Sequence, residues 1–111
     1  MISMMSDDWP DDADGQVLRC LRDKGFDFSK QYVVDFNVDF EEWPPNPEAL
    51  RHIHREFKIT SEYVDDVSGR GSIVVKIEAK LSYSFVVETQ QRLTDLASEF
   101  GGWCDSWGVL H

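Results

Sequence analysis

Basic residues and cysteines are scarce in this sequence, and long apolar runs are missing from it. The chain has 11 lysines and arginines against 21 aspartates and glutamates, which gives a formal charge of −10. Because nucleic-acid binding needs a basic stripe that neutralises phosphates, this charge argues against direct contact with a nucleic acid. The 2 cysteines are too few for a disulfide scaffold. No run approaches the roughly 20 apolar residues that span a bilayer, so we expect a cytoplasmic protein with no membrane partner.

The residues that are present are sufficient for one hydrophobic core. Apolar residues make up 41% of the 111 positions and aromatic residues 13%, which a disordered acidic tail would lack. Residues 1–6 have neither the basic nor the apolar region of a secretory signal. We therefore predict an acidic N-terminal arm over residues 1–12 and a single domain over residues 13–111. The arm carries Trp9 and Pro10 among aspartates. We expect it to be solvated, and the alternative is that it packs down or clamps a partner.

Strict alternation of apolar and polar residues predicts the strands. Over residues 32–40, four apolar residues on one face alternate with Asp35, Asn37 and Asp39 on the other, which is the pattern of a half-buried strand. Residues 73–81 alternate in the same way, and the glycine-containing segment 68–72 before them is typical of a hairpin loop. Residues 59–67 and 103–109 are predicted as two further strands.

Capping residues place three helices among these strands. The first helix is predicted over residues 13–24 and ends at Gly25. Asn46 caps the second, and Ser82 or Ser84 caps the third, which ends at residues 101–102. The resulting order is one helix followed by β-α-β-β-α-β. This order is typical of an α+β ferredoxin-like sandwich with a four-stranded antiparallel sheet, here with an extra N-terminal helix.

Three segments of the chain resemble a bacterial protein family. Asp14–Gly25 is similar to the family's opening helix, Tyr32–Phe36 to its first strand, and Leu93–Gly108 to its last helix and closing motif. The family is regulator of ribonuclease activity B, whose members are protein inhibitors of ribonuclease E. In the closing motif, Cys104 and Ser106 stand where the family has tyrosine and glycine. The resemblance implies the family's fold and a regulator that binds a ribonuclease E-type partner.

Aromatic and acidic residues on the predicted sheet form the candidate partner-binding site. Trp103 and Trp107 lie four apart in the last strand with Asp105 between them, so we expect them on one strand face. Together with the outward-facing Asp35 and Asp39, they would present rings and carboxylates to arginines of a protein partner. The alternative interpretation is that both rings pack beneath the N-terminal helix.

No catalytic, cofactor-binding or metal-binding residue is predicted. His52 and His54 lie two apart on a helix and therefore on different sides of it, so they cannot chelate one ion together. Cys20 and Cys104 have no histidine near them in the sequence, and we expect them to be small buried apolar residues. The aspartates of the arm do not follow the ligand spacing of a calcium loop.

We therefore predict a protein-binding regulator without enzyme activity or cofactor, which docks on a basic segment of a ribonuclease E-like partner and reduces RNA processing. The acidic charge would steer this association and make it sensitive to salt. Two alternatives stay open. One is an acidic interaction or immunity protein that neutralises another basic partner. The other is a small ligand-binding ferredoxin-like domain or enzyme, which would need a ligand-sized apolar cleft near Cys104.

Overall fold

The computed structural model describes residues 9–64 and 70–109, with the side chains of residues 60–64 excepted. Its elements are α1 (Ala13–Asp23), β1 (Gln31–Phe40), α2 (Pro47–Glu56), β2 (Ile59–Val64), β3 (Gly71–Lys80), α3 (Tyr83–Ala97), a 3₁₀ turn (Ser98–Phe100) and β4 (Gly102–Val109). The predicted order of helices and strands is confirmed. The end of the predicted strand 59–67 and the first two residues of the predicted loop 68–72 lie outside the described residues, and residues 71–72 of that loop belong to β3.

The strands lie side by side in the order β2-β3-β1-β4, and every neighbouring pair is antiparallel. The prediction of an α+β fold with an antiparallel sheet is confirmed. Strands β1 and β3 are central, whereas β2 and β4 form the two edges of the sheet.

One face of the sheet carries the core. Alternate residues of β1 are fully buried, namely Val34, Phe36, Val38 and Phe40. Phe36 and Val38 pair with the buried Val75 and Ile73 of β3. The predicted alternation in β1 is thus confirmed, with Asp35, Asn37 and Asp39 on the opposite face. That opposite face, which carries no helix in the part of the chain that the structure describes, is called the open face below.

Helix starts follow the capping residues. The Asn46 side chain accepts a hydrogen bond from the backbone of α2, and the Ser82 hydroxyl accepts one from the backbone of α3, so Ser82 rather than Ser84 is the cap. Asp12 caps α1 in the same way, through a 2.8 Å bond from the Gly15 N–H. Gly101, at φ 77°, supplies the left-handed turn between the last helical turn and β4.

The three helices form one layer on the core face, with α3 in contact with both α2 and α1. Leu18 and Leu21 of α1 are buried in the common core. The segment before α1 also packs down: the Trp9 ring lies 5.5 Å from that of Phe28, and the Arg19 guanidinium donates to the Trp9 carbonyl. The expectation of a solvated arm is therefore wrong for Trp9, because the Phe28 ring and the Arg22 guanidinium pack against its ring.

Candidate protein-binding surface

The open face brings together most of the predicted partner-binding residues. Asp35 and Asp39 point outward from β1, and across the strand pair Asp39 lies directly opposite Trp103 of β4. Residues that face each other across an antiparallel pair lie on the same side of the sheet. Asp35, Asp39 and Trp103 therefore share one surface, as the sequence predicted.

A β-bulge in β4 separates the two tryptophans. Asn37 pairs with Ser106 and the next residue, Val38, pairs with Cys104, so Asp105 has no partner across the strand. One extra residue inverts the alternation of every side chain beyond it. Trp107 consequently pairs with buried Phe36 and lies on the core face of the sheet. The prediction that Trp103 and Trp107 share a strand face is wrong for this reason.

Trp107 fits the alternative interpretation, in which the ring packs beneath the N-terminal helix. Its indole Nε1 donates a 2.8 Å hydrogen bond to Oδ1 of Asp14, in the first turn of α1, and the ring packs against the core. Trp103 has no such contact with α1 among the described residues. One ring therefore helps to fasten α1, while the other lies on the open face.

The two aspartates on the open face differ in their electrostatic surroundings. Asp35 accepts a 2.7 Å hydrogen bond from Nζ of Lys76, which neutralises its charge. Within residues 9–64 and 70–109, no lysine or arginine pairs with Asp39. Partial burial raises the pKa of Asp39, and repulsion from the nearby Asp105 raises it further. The Asp39 carboxylate thus carries a negative charge that no cation of the described chain neutralises.

A groove lies where the start of α1, α3 and the outer side of β4 meet. Its volume is about 280 Å³, and it is open to solvent. Polar residues outnumber apolar ones in its wall, which consists of Ala13, Asp14, Val87, Gln90, Gln91, Thr94, Cys104 and Asp105. The groove is large enough for one long side chain of a partner, but it is open to solvent, unlike the enclosed cleft that a small-ligand site would require.

Cys104 lies in the wall of this groove and is buried, as predicted. Burial raises the pKa of its thiol to about 12. The thiolate is the nucleophilic form of cysteine, so at neutral pH this side chain is an inert thiol. The Cys104 backbone N–H donates a 3.0 Å bond to the Thr94 hydroxyl, which caps this part of the β4 edge. The other cysteine, Cys20, is exposed, so the expectation that it is buried is wrong.

Gln90 was not predicted as a site residue, although it is the most deeply buried polar residue of the groove. It lies on the inward side of α3 and is only 8% exposed. The signal that could have found it is its spacing: it stands between Val86 and Leu93 on the stripe that the apolar pattern assigns to the core. A polar residue on such a stripe requires hydrogen-bond partners in the fold.

The described residues contain neither a cluster of metal ligands nor a membrane-spanning helix. No group of three or more potential metal ligands occurs among them. His52 lies 3.9 Å from a carboxylate oxygen of Glu99, but no second histidine or cysteine joins the pair in this part of the chain. None of the described helices has the length and apolar content needed to cross a bilayer.

Comparison with known protein families gives one match that covers most of the chain. Residues 11–109 match the family described as regulator of ribonuclease activity B. Among curated individual proteins, none matches significantly. The matched range contains α1, the whole sheet with α2 and α3, and therefore both the open face and the groove. The chain belongs to the regulator of ribonuclease activity B family.

Proposed function

We propose that this protein regulates ribonuclease activity, without being an enzyme itself, by binding a basic segment of a ribonuclease E-type partner on its open face. Membership of a family of ribonuclease regulators supports the class of partner. The observation that carries the proposal is the outward-facing Asp39 carboxylate, which has no cation in the described chain, directly opposite the Trp103 ring. Strand order and element order support a ferredoxin-like sandwich as the scaffold.

The chemistry of this surface favours arginine. A guanidinium stacked on the Trp103 ring would gain a cation–π interaction, and its N–H groups would reach the carboxylates of Asp39 and Asp105. Docking would also offset the repulsion between the two carboxylates, which adds to the effect of partial burial in raising the pKa of Asp39. Asp35 would contribute less, because Lys76 already neutralises it. Trp103 is the proposed anchor of the contact, since partly buried aromatic residues often dominate such interfaces.

Regulation would follow from competition for the basic segment. Lysines and arginines of an RNA-handling protein bind phosphates, and an acidic face of matching shape would occupy the same groups. The formal charge of −10 would speed the encounter by long-range attraction. RNA cleavage would slow because the RNA loses part of its binding surface, with no change in the chemistry of the ribonuclease.

The test is direct binding of the purified protein to ribonuclease E at low and at moderate salt, with an RNA-cleavage assay alongside. We expect binding that weakens with salt and cleavage that slows in proportion to occupancy. Asp39→Asn should weaken binding about tenfold, and the matched variant Asp35→Asn by less than about threefold. No binding at either salt, or equal losses for the two variants, would contradict the proposal.

A further inference from the structure

The groove at the β4 edge presents hydrogen-bond acceptors but no cation. Asp14 and Asp105 contribute carboxylates to its wall, and no lysine, arginine or histidine lines it in the described chain. Asp105 is the bulged residue of β4, and its charge adds to the effect of burial in raising the pKa of Asp39. The groove and the open face therefore adjoin each other at Asp105.

Asp14 is held in a fixed position by neutral donors. The Trp107 indole N–H donates to its Oδ1 at 2.8 Å, and the Gln90 amide lies 3.3 Å from Oδ1 and 3.2 Å from Oδ2. Neutral donors orient a carboxylate without cancelling its charge. No ion pair to Asp14 occurs over residues 9–64 and 70–109, so a preorganised negative charge faces the groove without a counterion.

Gln90 provides an independent indication that the groove takes a donor. Its amide nitrogen donates to Asp14 and to the Val86 carbonyl at 3.0 Å, while its carbonyl oxygen accepts no hydrogen bond from the described residues. The residue is more than nine-tenths buried. Because no fully buried side-chain oxygen in the described part of the chain lacks a partner, this oxygen must be accessible from the groove that Gln90 lines.

We propose that this groove receives an arginine side chain from the same basic segment that occupies the open face. The inference rests on the proposed function and adds the second contact point and the path of the partner. The segment crosses the β4 edge at Asp105, with one cationic residue at Asp39 and Trp103 and another in the groove. A guanidinium carries five N–H donors in a planar array, which matches the carboxylates and the Gln90 oxygen better than a single ammonium group does.

Trp107 acquires a defined part in this arrangement. It does not touch the partner; it is a positioning residue, since its N–H fixes the Asp14 carboxylate that would meet the guanidinium. Its indole N–H is also a reporter, because a cation bound to Asp14 would draw electron density from that hydrogen bond.

The experiment titrates the intact protein with an arginine-rich decapeptide and with the same peptide carrying citrulline in place of arginine. Affinity is measured for the unmodified protein, for Asp14→Asn and Asp39→Asn, and for Asp23→Asn, a matched charge removal at the far end of α1. Asp14→Asn should weaken binding of the arginine peptide about tenfold, and Asp23→Asn less than about twofold. In nuclear magnetic resonance spectra of the unmodified protein, the Trp107 indole N–H signal should shift with the arginine peptide and stay in place with the citrulline peptide.

The outcomes separate this inference from the proposed function. If Asp39→Asn weakens binding while Asp14→Asn behaves like Asp23→Asn and the Trp107 signal does not move, the groove inference fails and the open face stands. If the arginine peptide binds no better than the citrulline peptide, both fail. Should Asp14→Asn unfold, the Trp107 signal of the unmodified protein still decides the question.

Discussion

The two ends of β4 carry the same residue type in opposite roles. Trp103 lies on the open face across from Asp39, whereas Trp107 lies on the core face across from Phe36 and is bonded to Asp14 of α1. Three residues separate the tryptophans, and in a regular strand that spacing would place both rings on one face. The bulge at Asp105 divides the strand into an end that packs on the core and an end that, in the proposed function, meets the partner.

This division lets one short edge strand serve two purposes. On the inner side, Cys104 and Trp107 extend the core toward α1 and α3. At the bulge, the extra residue bends the strand and turns Asp105 toward solvent, between the open face and the groove. Bulges near sheet edges also interrupt the regular ladder that another chain would extend. Substitutions at the Trp107 end should therefore lower stability, whereas substitutions at the Trp103 end should weaken binding.

The largest expected effect is on the free energy of unfolding of Trp107→Ala. This variant removes a large ring that packs on the core, together with its hydrogen bond to Asp14, and we expect a loss of about 3 kcal/mol. Trp103→Ala should cost less than about 1 kcal/mol, since its ring packs on the open face. Urea unfolding followed by circular dichroism measures both values. Equal losses at the two positions would remove the distinction between the two ends.

The reason for this distinction lies outside β4, which is why local sequence reasoning did not find it. Going from Phe36 to Val38 takes two residues in β1, but going from Trp107 back to Cys104 takes three in β4. Cys104 and Trp107 can both face the core only if one residue of β4 is left unpaired. That requirement depends on the partner strand, although the two consecutive polar residues Asp105 and Ser106, between Cys104 and Trp107, already depart from strict alternation.

Features that depend on nearby residues were predictable. The alternation in β1, the Asn46 cap and the left-handed Gly101 follow from side-chain chemistry within a few positions. The placement of Asp35, Asp39 and Trp103 on one surface was also predicted. The groove was not, because Asp14 and Gln90 are 76 positions apart in the sequence and meet only after α1 and α3 have packed together.

The second effect concerns binding and should reverse the order of the two tryptophans. Trp103→Ala should weaken binding to ribonuclease E by about thirtyfold, or about 2 kcal/mol, because it removes the aromatic anchor of the open face. Trp107→Phe keeps a ring in the core and should change the affinity much less. It removes only the indole N–H that holds the Asp14 carboxylate in position. Calorimetric titration of folded variants measures both. A larger loss for Trp107→Phe would place the anchor at the wrong end of β4.

The smallest effect compares the two carboxylates of the open face through the pH dependence of stability. Burial raises the pKa of Asp39, so its ionised form costs stability at neutral pH, and this cost disappears as the pH falls through the raised pKa toward the ordinary value of 3.8. Asp39→Asn should therefore be slightly more stable than the unmodified protein at pH 7, by less than about 1 kcal/mol because the group is partly exposed, and the gain should shrink in acid. Asp35→Asn should lose a little stability at pH 7, since it breaks the pair with Lys76. Urea unfolding at pH 7 and in acid tests the sign of each change in the free energy of unfolding. A less stable Asp39→Asn at neutral pH would mean that this carboxylate is already compensated, and the open face would then lack the unmatched charge that distinguishes its Trp103 end.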